Sequence, residues 1–203
     1  MKTFRQFFFE NKDTTLVFAY GRFNPPTTAH EMLIEKIIET ANKNNASYLV
    51  VPSHSTKPVD KNPLNVQQKI EILMYMVEDA TKVSDIGTTF IQTLQKIQEM
   101  GFRDIIQVCG SDREPEFKKL VETYNGKPDK TGKIPFQFQS YNFVSSGERD
   151  PDSEGMEGMS ASKLRKLAIK GNLEQFKNGM SEKVPDELKE KTFEEIRKIV
   201  QKQ

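Results

Sequence analysis

The sequence predicts an α/β fold: a doubly wound parallel sheet of about five strands, helices on both faces and a C-terminal helical extension. Three observations carry that expectation. Short, nearly continuous apolar runs such as TLVFAY, SYLVVP and DIIQVCG read as strands buried on both sides. Amphipathic stretches with helical spacing alternate with them, which is the pattern of strand–helix–strand crossovers. The length of 203 residues suits one domain with a sizeable core and a small appendage.

Taken in order, residues 15–20 form the first strand. From Thr28 to about Lys43, Met32, Leu33, Ile37 and Ile38 recur at helical spacing. SYLVVP (47–52) is a second strand, stopped by Pro52, and the polar, proline-bearing segment after it is a loop. Val66 to Asp79 reads as a helix with Ile70, Leu73, Met74 and Val77 on one face; KVSDIGTT (82–89) is ambiguous, with a short strand as one reading. Phe90 to Met100 is helical and Gly101 ends it. DIIQVCG (104–110) is a third strand, 115–124 a helix, and PFQFQSYNFV (135–144) alternates as a strand does. A long loop rich in Gly and acid precedes helices from Ser160, from Leu173 and from about Pro185. The domain expectation is a docking segment at 1–14, the main domain at 15–178 and a C-terminal helix at 179–203.

Composition narrows the function classes. Lys plus Arg number 30 against 29 Asp plus Glu, so bulk charge gives no case for a nucleic-acid partner, although a few residues can still build a phosphate site. Cys109 is the sole cysteine, which removes intrachain disulfides and cysteine-based zinc sites and fits a reducing, cytoplasmic compartment. No run reaches the length of a membrane span, so no membrane partner is expected. The N-terminal Phe4, Phe7, Phe8 and Phe9 read as a short helix docking on the body rather than as a signal peptide.

The chemistry concentrates in three places. GRFNPPTTAH (21–30) follows the first strand directly. A strand, a tight turn and a helix start present main-chain N–H groups at the strand's carboxyl end, where such sheets bind ligands and where an anion is favoured. Gly21 lets the chain pass close to a ligand, Pro25 and Pro26 stiffen the turn, Thr27 and Thr28 can each cap the helix, and Thr28 with Glu31 has capping-box spacing. His30 then falls in the first helical turn. The plainer reading is a helix cap with an incidental histidine. Far downstream, MSASKLR (159–165) offers a second helix start, with Ser160 as N-cap, Ser162 as a hydroxyl and Arg165 as a bidentate phosphate ligand. VCGSDR (108–113) places Gly110 and Asp112 at the end of a buried strand, with a helix cap as the plainer role for Asp112.

Together these segments resemble the nucleotidyltransferase superfamily. GRFNPPTTAH is similar to its GxFxPxTxxH form of the (H/T)xGH motif, and MSASKLR to its ISSTxxR motif, in the same order along the chain. Asn24-Pro25-Pro26-Thr27 resembles the nicotinamide-mononucleotide adenylyltransferases. KNPL, GSDREPEF and GERDPDSEGMEGMSASKLR resemble a cytidylyl- or adenylyltransferase-like subfamily of large tailed bacteriophages. The resemblance spans about 15–178. Ala29 stands where the motif has Gly, Thr27 where it often has its first histidine, and Ser162 where it has Thr.

The resemblance implies a Rossmann-like fold and a reaction joining a nucleoside triphosphate, ATP by preference, to a small phosphate monoester with release of pyrophosphate. His30, Thr27 and Arg165 would be catalytic. Gly21, Arg22, Phe23, Gly110, Asp112, Ser160 and Ser162 would bind the nucleotide, and Lys57 the acceptor phosphate, against the plainer reading of a solvated loop lysine. Mg²⁺ would arrive on the triphosphate, with no protein cage for a metal. Cytidylyl transfer from CTP to a sugar or polyol phosphate is the alternative, and a non-catalytic nucleotide-binding phage accessory protein is a third reading. A P-loop kinase would need GK[ST], and a dinucleotide-binding dehydrogenase GxGxxG, after the first strand; neither is there. DPDSEG (150–155) opens like a calcium loop, but the twelfth position is Ala161 instead of Glu. Cys109 reads as a core residue. The charged helix at 185–202 reads as a solvated packing helix, with a homo-oligomer contact as its alternative, and a phage origin would place the protein in host cytoplasm.

Overall fold

The computed structural model describes residues 14–147 and 159–200. The expected phenylalanine docking helix and the DPDSEG stretch lie outside the described residues.

Strands β1 (Thr15–Gly21), β2 (Ser47–Pro52), β3 (Asp104–Cys109) and β4 (Ser140–Ser145) form one parallel sheet in the order β2-β1-β3-β4. Central β1 explains its unbroken apolar sequence: Leu16, Val17, Phe18 and Ala19 face alternate sides and all are buried. In register, Phe18 lies between Leu49 on β2 and Gln107 on β3. Gln107 is fully buried, and its Oε1 accepts the Tyr141 hydroxyl at 2.6 Å.

Among the described residues the sheet has four strands, not about five. The difference lies in the 82–89 segment. It leaves a 3-10 turn, Ala80–Lys82, makes a single parallel bridge from Val83 to Val50 at the β2 edge, and then turns into the next helix. The strand expected from Pro135 begins at Ser140 instead. Phe136 bridges Asn125, and the Phe138 N–H donates to Asn125 Oδ1 at 2.8 Å, so this extended stretch pairs with a helix end rather than with the sheet.

The helices are α1 (Thr28–Asn44), α2 (Val66–Leu73), α3 (Phe90–Glu99), α4 (Glu114–Tyr124), α5 (Ala161–Ile169), α6 (Leu173–Asn178) and α7 (Asp186–Val200). Helix α1 buries Leu33, Ile34, Ile37 and Ala41, and leaves Met32 on the surface. Asn45 caps α1 in the left-handed region at φ 49°. Helix α2 is shorter than the expected 66–79; Met74 and Tyr75 beyond it are exposed.

Two apolar layers flank the sheet. One joins Val17, Ala19, Val50 and Val108 to α1, α2, α5, α6 and α7. The other joins Leu16, Phe18, Leu49 and Ile105 to α3, α4, Phe136 and Phe138. Helix α7 is seated in the first layer through Phe193 and Ile196, with the Phe193 ring 5.3 Å from that of Phe176. Burying each such side chain contributes roughly 1.5–3 kcal/mol.

Candidate active site

A cleft of about 490 Å³ opens at the carboxyl ends of β1, β2 and β3. The chain runs from β1 outward to β2, then crosses to the other side of β1 to make β3, so the cleft sits at the reversal of strand order. Its wall carries Gly21, Arg22, Phe23, His30, Lys57, Gly110, Asp112, Ser160, Ser162 and Arg165, every expected site residue but one.

The exception is Thr27. Its side chain is fully buried and lies behind the imidazole, with Oγ1 3.0 Å from His30 Nδ1. Where a phosphate contact was expected of it, this hydroxyl is turned to the ring and not to the cleft wall. Of the two threonines that could cap α1, Thr27 is the N-cap, and its capping-box partner three positions on is His30, not Glu31. Glu31 instead pairs with Lys183 at 3.0 Å. Nor is the helix start a bare anion cradle, since the Thr28 N–H goes to the Gly179 carbonyl at 3.1 Å.

The Thr27 main-chain N–H donates to His30 Nδ1 at 3.0 Å. A nitrogen that accepts an N–H carries no proton, so the ring is held as the tautomer with its proton on Nε2. Histidine here fills the place of the Glu or Gln of a capping box. The ring is buried against Phe23, centroids 4.9 Å apart. Phe23 itself sits at φ 45°, a conformation that costs a bulky side chain of order 1–3 kcal/mol and that its own burial holds in place. A Cβ on Gly21 would come within 3.0 Å of that Phe23 ring.

Helix α5 enters from the far side. Ser160 caps it, accepting the Lys163 N–H at 3.2 Å. Arg165 reaches back across the cleft: Nη1 donates to the Asn24 carbonyl at 2.7 Å and Nη2 to Ser162 Oγ at 3.1 Å. Burial, and then the neighbouring Arg22 charge, draw the Arg165 pKa below its usual value against an opposing pull from Asp60. A guanidinium in that setting is short of negative charge.

At the end of β3, Asp112 is not the cap of α4; that position belongs to Arg113. A Cβ on Gly110 would fall 2.6 Å from Asp112 Oδ1, so glycine is what lets the carboxylate fold back there. Cys109 is buried, and burial with the nearby Glu114 and Asp112 charges pushes its thiol up to about 11, which keeps it protonated at neutral pH. His54, in the loop after β2, faces Asp85 at 3.8 Å and is not on the cleft wall.

Sequence reasoning missed Asn24, Lys61, Asn62 and Arg113, which also line the cleft. Asn24 was inside the quoted turn; Lys61 and Asn62 lay in a loop whose shape the sequence does not reveal. Among the described residues the wall thus carries Arg22, Lys57, Lys61, Arg113 and Arg165, with Asp112 as its one acid. A chain that is neutral in bulk has gathered positive charge in one groove. Among the described residues no three His, Cys, Asp or Glu side chains cluster as metal ligands. No helix among them is long and apolar enough to cross a membrane.

A parallel α/β sheet with a basic cleft at its reversal point, fed by a histidine turn and a distant serine–arginine helix start, has the form of a nucleotidyltransferase. The model of the cytidylyltransferase-like family matches residues 18–167, and the chain belongs to that family. The match takes in the 21–30 turn and the helix start at Ser160, and ends within α5. A search of curated proteins finds no match.

Proposed function

We propose that the protein joins a nucleoside triphosphate, ATP by preference, to a small phosphate monoester and releases pyrophosphate. What carries this reading is that His30 and Arg165, from opposite ends of the domain, share one cleft with four further basic side chains. Such a groove suits a polyphosphate and a second phosphate together.

On this reading an oxygen of the acceptor phosphate attacks the α-phosphorus, the bond from that phosphorus to the bridging oxygen breaks, and pyrophosphate leaves. The protein positions and neutralises; it forms no covalent bond. His30 donates from Nε2 to a phosphate oxygen as charge builds there. Ser160, Ser162 and Arg165 hold the outer phosphates, with Arg22 beside them. Gly21 and Phe23 bring the chain close to the nucleotide, and Gly110 and Asp112 bound it on the β3 side. Lys57, with Lys61, holds the acceptor phosphate. Mg²⁺ enters as part of the triphosphate substrate.

The preference for ATP, with nicotinamide mononucleotide among the acceptors and NAD as its product, rests on the likeness of Asn24-Pro25-Pro26-Thr27 to adenylyltransferases. CTP with a sugar or polyol phosphate is the alternative arm. The phrases shared with tailed-phage proteins support a role in host cytoplasm. A pyrophosphate-release screen of the four nucleoside triphosphates against a panel of phosphate monoesters tests the reading. Release with one pair supports it; triphosphate binding with no release across the panel would leave a binding module instead.

A further inference from the structure

The loop between β2 and α2 carries Lys57 and Lys61 on the cleft wall and has almost no secondary structure of its own. It is nevertheless fastened at three points. At its start the Ser53 N–H donates to the Gly21 carbonyl at 2.7 Å, and the Ser53 carbonyl accepts Lys69 Nζ. In its middle Asn62 Nδ2 donates to the carbonyls of Lys57 and Pro58, both at 3.0 Å, which closes the turn that presents the lysines. At its end Asn24 grips Leu64 from both sides: Nδ2 donates to the Leu64 carbonyl at 2.9 Å, and Oδ1 accepts the Leu64 N–H at 3.0 Å.

Asn24 is 1% exposed, and its own main-chain carbonyl is the acceptor for Arg165 Nη1 at 2.7 Å. One residue therefore touches the lysine loop through its side chain and the guanidinium through its main chain. The side-chain pairing needs a donor and an acceptor held in one short plane, which a carboxamide provides. A carboxylate provides acceptors only, and a buried carbonyl left facing it is costly.

We infer that Asn24 is a positioning residue that keeps the Lys57–Asn62 loop in register with the Arg165 guanidinium, so that an acceptor phosphate and a triphosphate lie in line. This rests on the proposed function, since register matters only where two substrates meet. Misplacement by about 1 Å costs roughly 10²-fold in rate for reactions that depend on orientation.

The test uses the full chain with Asn24→Ala and Asn24→Asp. Binding of ATP and of CTP, each with Mg²⁺, is followed by calorimetry, and amide hydrogen exchange of residues 57–64 is read with and without the nucleotide. Wild type is expected to bind and to slow exchange in that loop. Both variants at neutral pH, read at nucleotide concentrations that saturate each protein, should lose most of the loop protection, because the link between the two sides is cut. Loop protection in both variants equal to wild type overturns the inference while leaving the proposed function standing. Wild type that binds neither nucleotide overturns both. If Asn24→Ala does not fold, Asn24→Asp at neutral pH decides alone: loop protection equal to wild type overturns the inference.

Discussion

His30 Nδ1 accepts the Thr27 main-chain N–H at 3.0 Å, so the imidazole is at once a helix cap and the polar group of the cleft. The two roles separate by substitution. Glutamine at the same place keeps a side-chain acceptor for the Thr27 N–H, as in an ordinary capping box, but not an imidazole donor in the same position. His30→Gln should hold the wild-type melting temperature and lower pyrophosphate release by about 10²-fold or more. His30→Ala should lose a similar amount of turnover and, in addition, about 1 kcal/mol of stability. Turnover of His30→Gln near wild type would remove the histidine from the chemistry.

Lys57 and Lys61 line the same cleft as Arg165 and are exposed. Replacing both with alanine should raise the KM for the acceptor by about tenfold or more while the dissociation constant for the triphosphate stays within about twofold. Calorimetry for the nucleotide and steady-state kinetics for the acceptor measure the two separately. A loss confined to the nucleotide would reassign the loop to the triphosphate.

Lys69 is fully buried, with the Ser53 carbonyl as a partner, and burial lowers its pKa from 10.5 to about 8. Between those two values the unfolded chain holds a proton that the native state has released. Stability should therefore rise with pH from about 8 to about 10.5, by up to roughly 3 kcal/mol, and the contribution should be flat below that window. Denaturant titrations of wild type and Lys69→Met at stepped pH isolate it as the difference between the two proteins. A difference that does not change across the window would contradict the burial argument.

Phe193 lies beyond the end of the family match yet sits in the same apolar layer as Phe176, Met180 and Val184. Phe193→Ala should cost about 3–5 kcal/mol, measured by denaturant unfolding, as a buried aromatic truncation does. A loss under about 1 kcal/mol would mark α7 as loosely attached.

The parts of the fold that were readable share one physical origin. Strands buried on both faces, β1 and β3 above all, write themselves as apolar runs, and the alternation with helices fixes a parallel sheet. The stretch at 135–139 has strand periodicity but pairs with Asn125, because periodicity reports which side chains are buried and not what the main chain bonds to. The 82–89 segment reaches the sheet at Val83 only, a distinction of one bridge that no side-chain pattern encodes. In the cleft, His30 and Arg165 were legible because motif and helix start coincide. Thr27 lies off the cleft wall because, of the two threonines able to cap α1, it is the one that does, and its hydroxyl turns to the ring. Asn24 was hidden for a different reason: its partners, Leu64 and Arg165, are 40 and 141 positions away, and only folding brings them together.

The most direct test of the account is a calorimetric titration of the full chain with ATP and with CTP, each with Mg²⁺, alongside Arg165→Ala. If the histidine turn and the α5 start grip one polyphosphate, wild type binds at least one nucleotide at a single saturable site, and the variant binds it at least about tenfold more weakly. Equal affinity in wild type and variant would show that the guanidinium holds no phosphate and would contradict the shared cleft as the site of transfer.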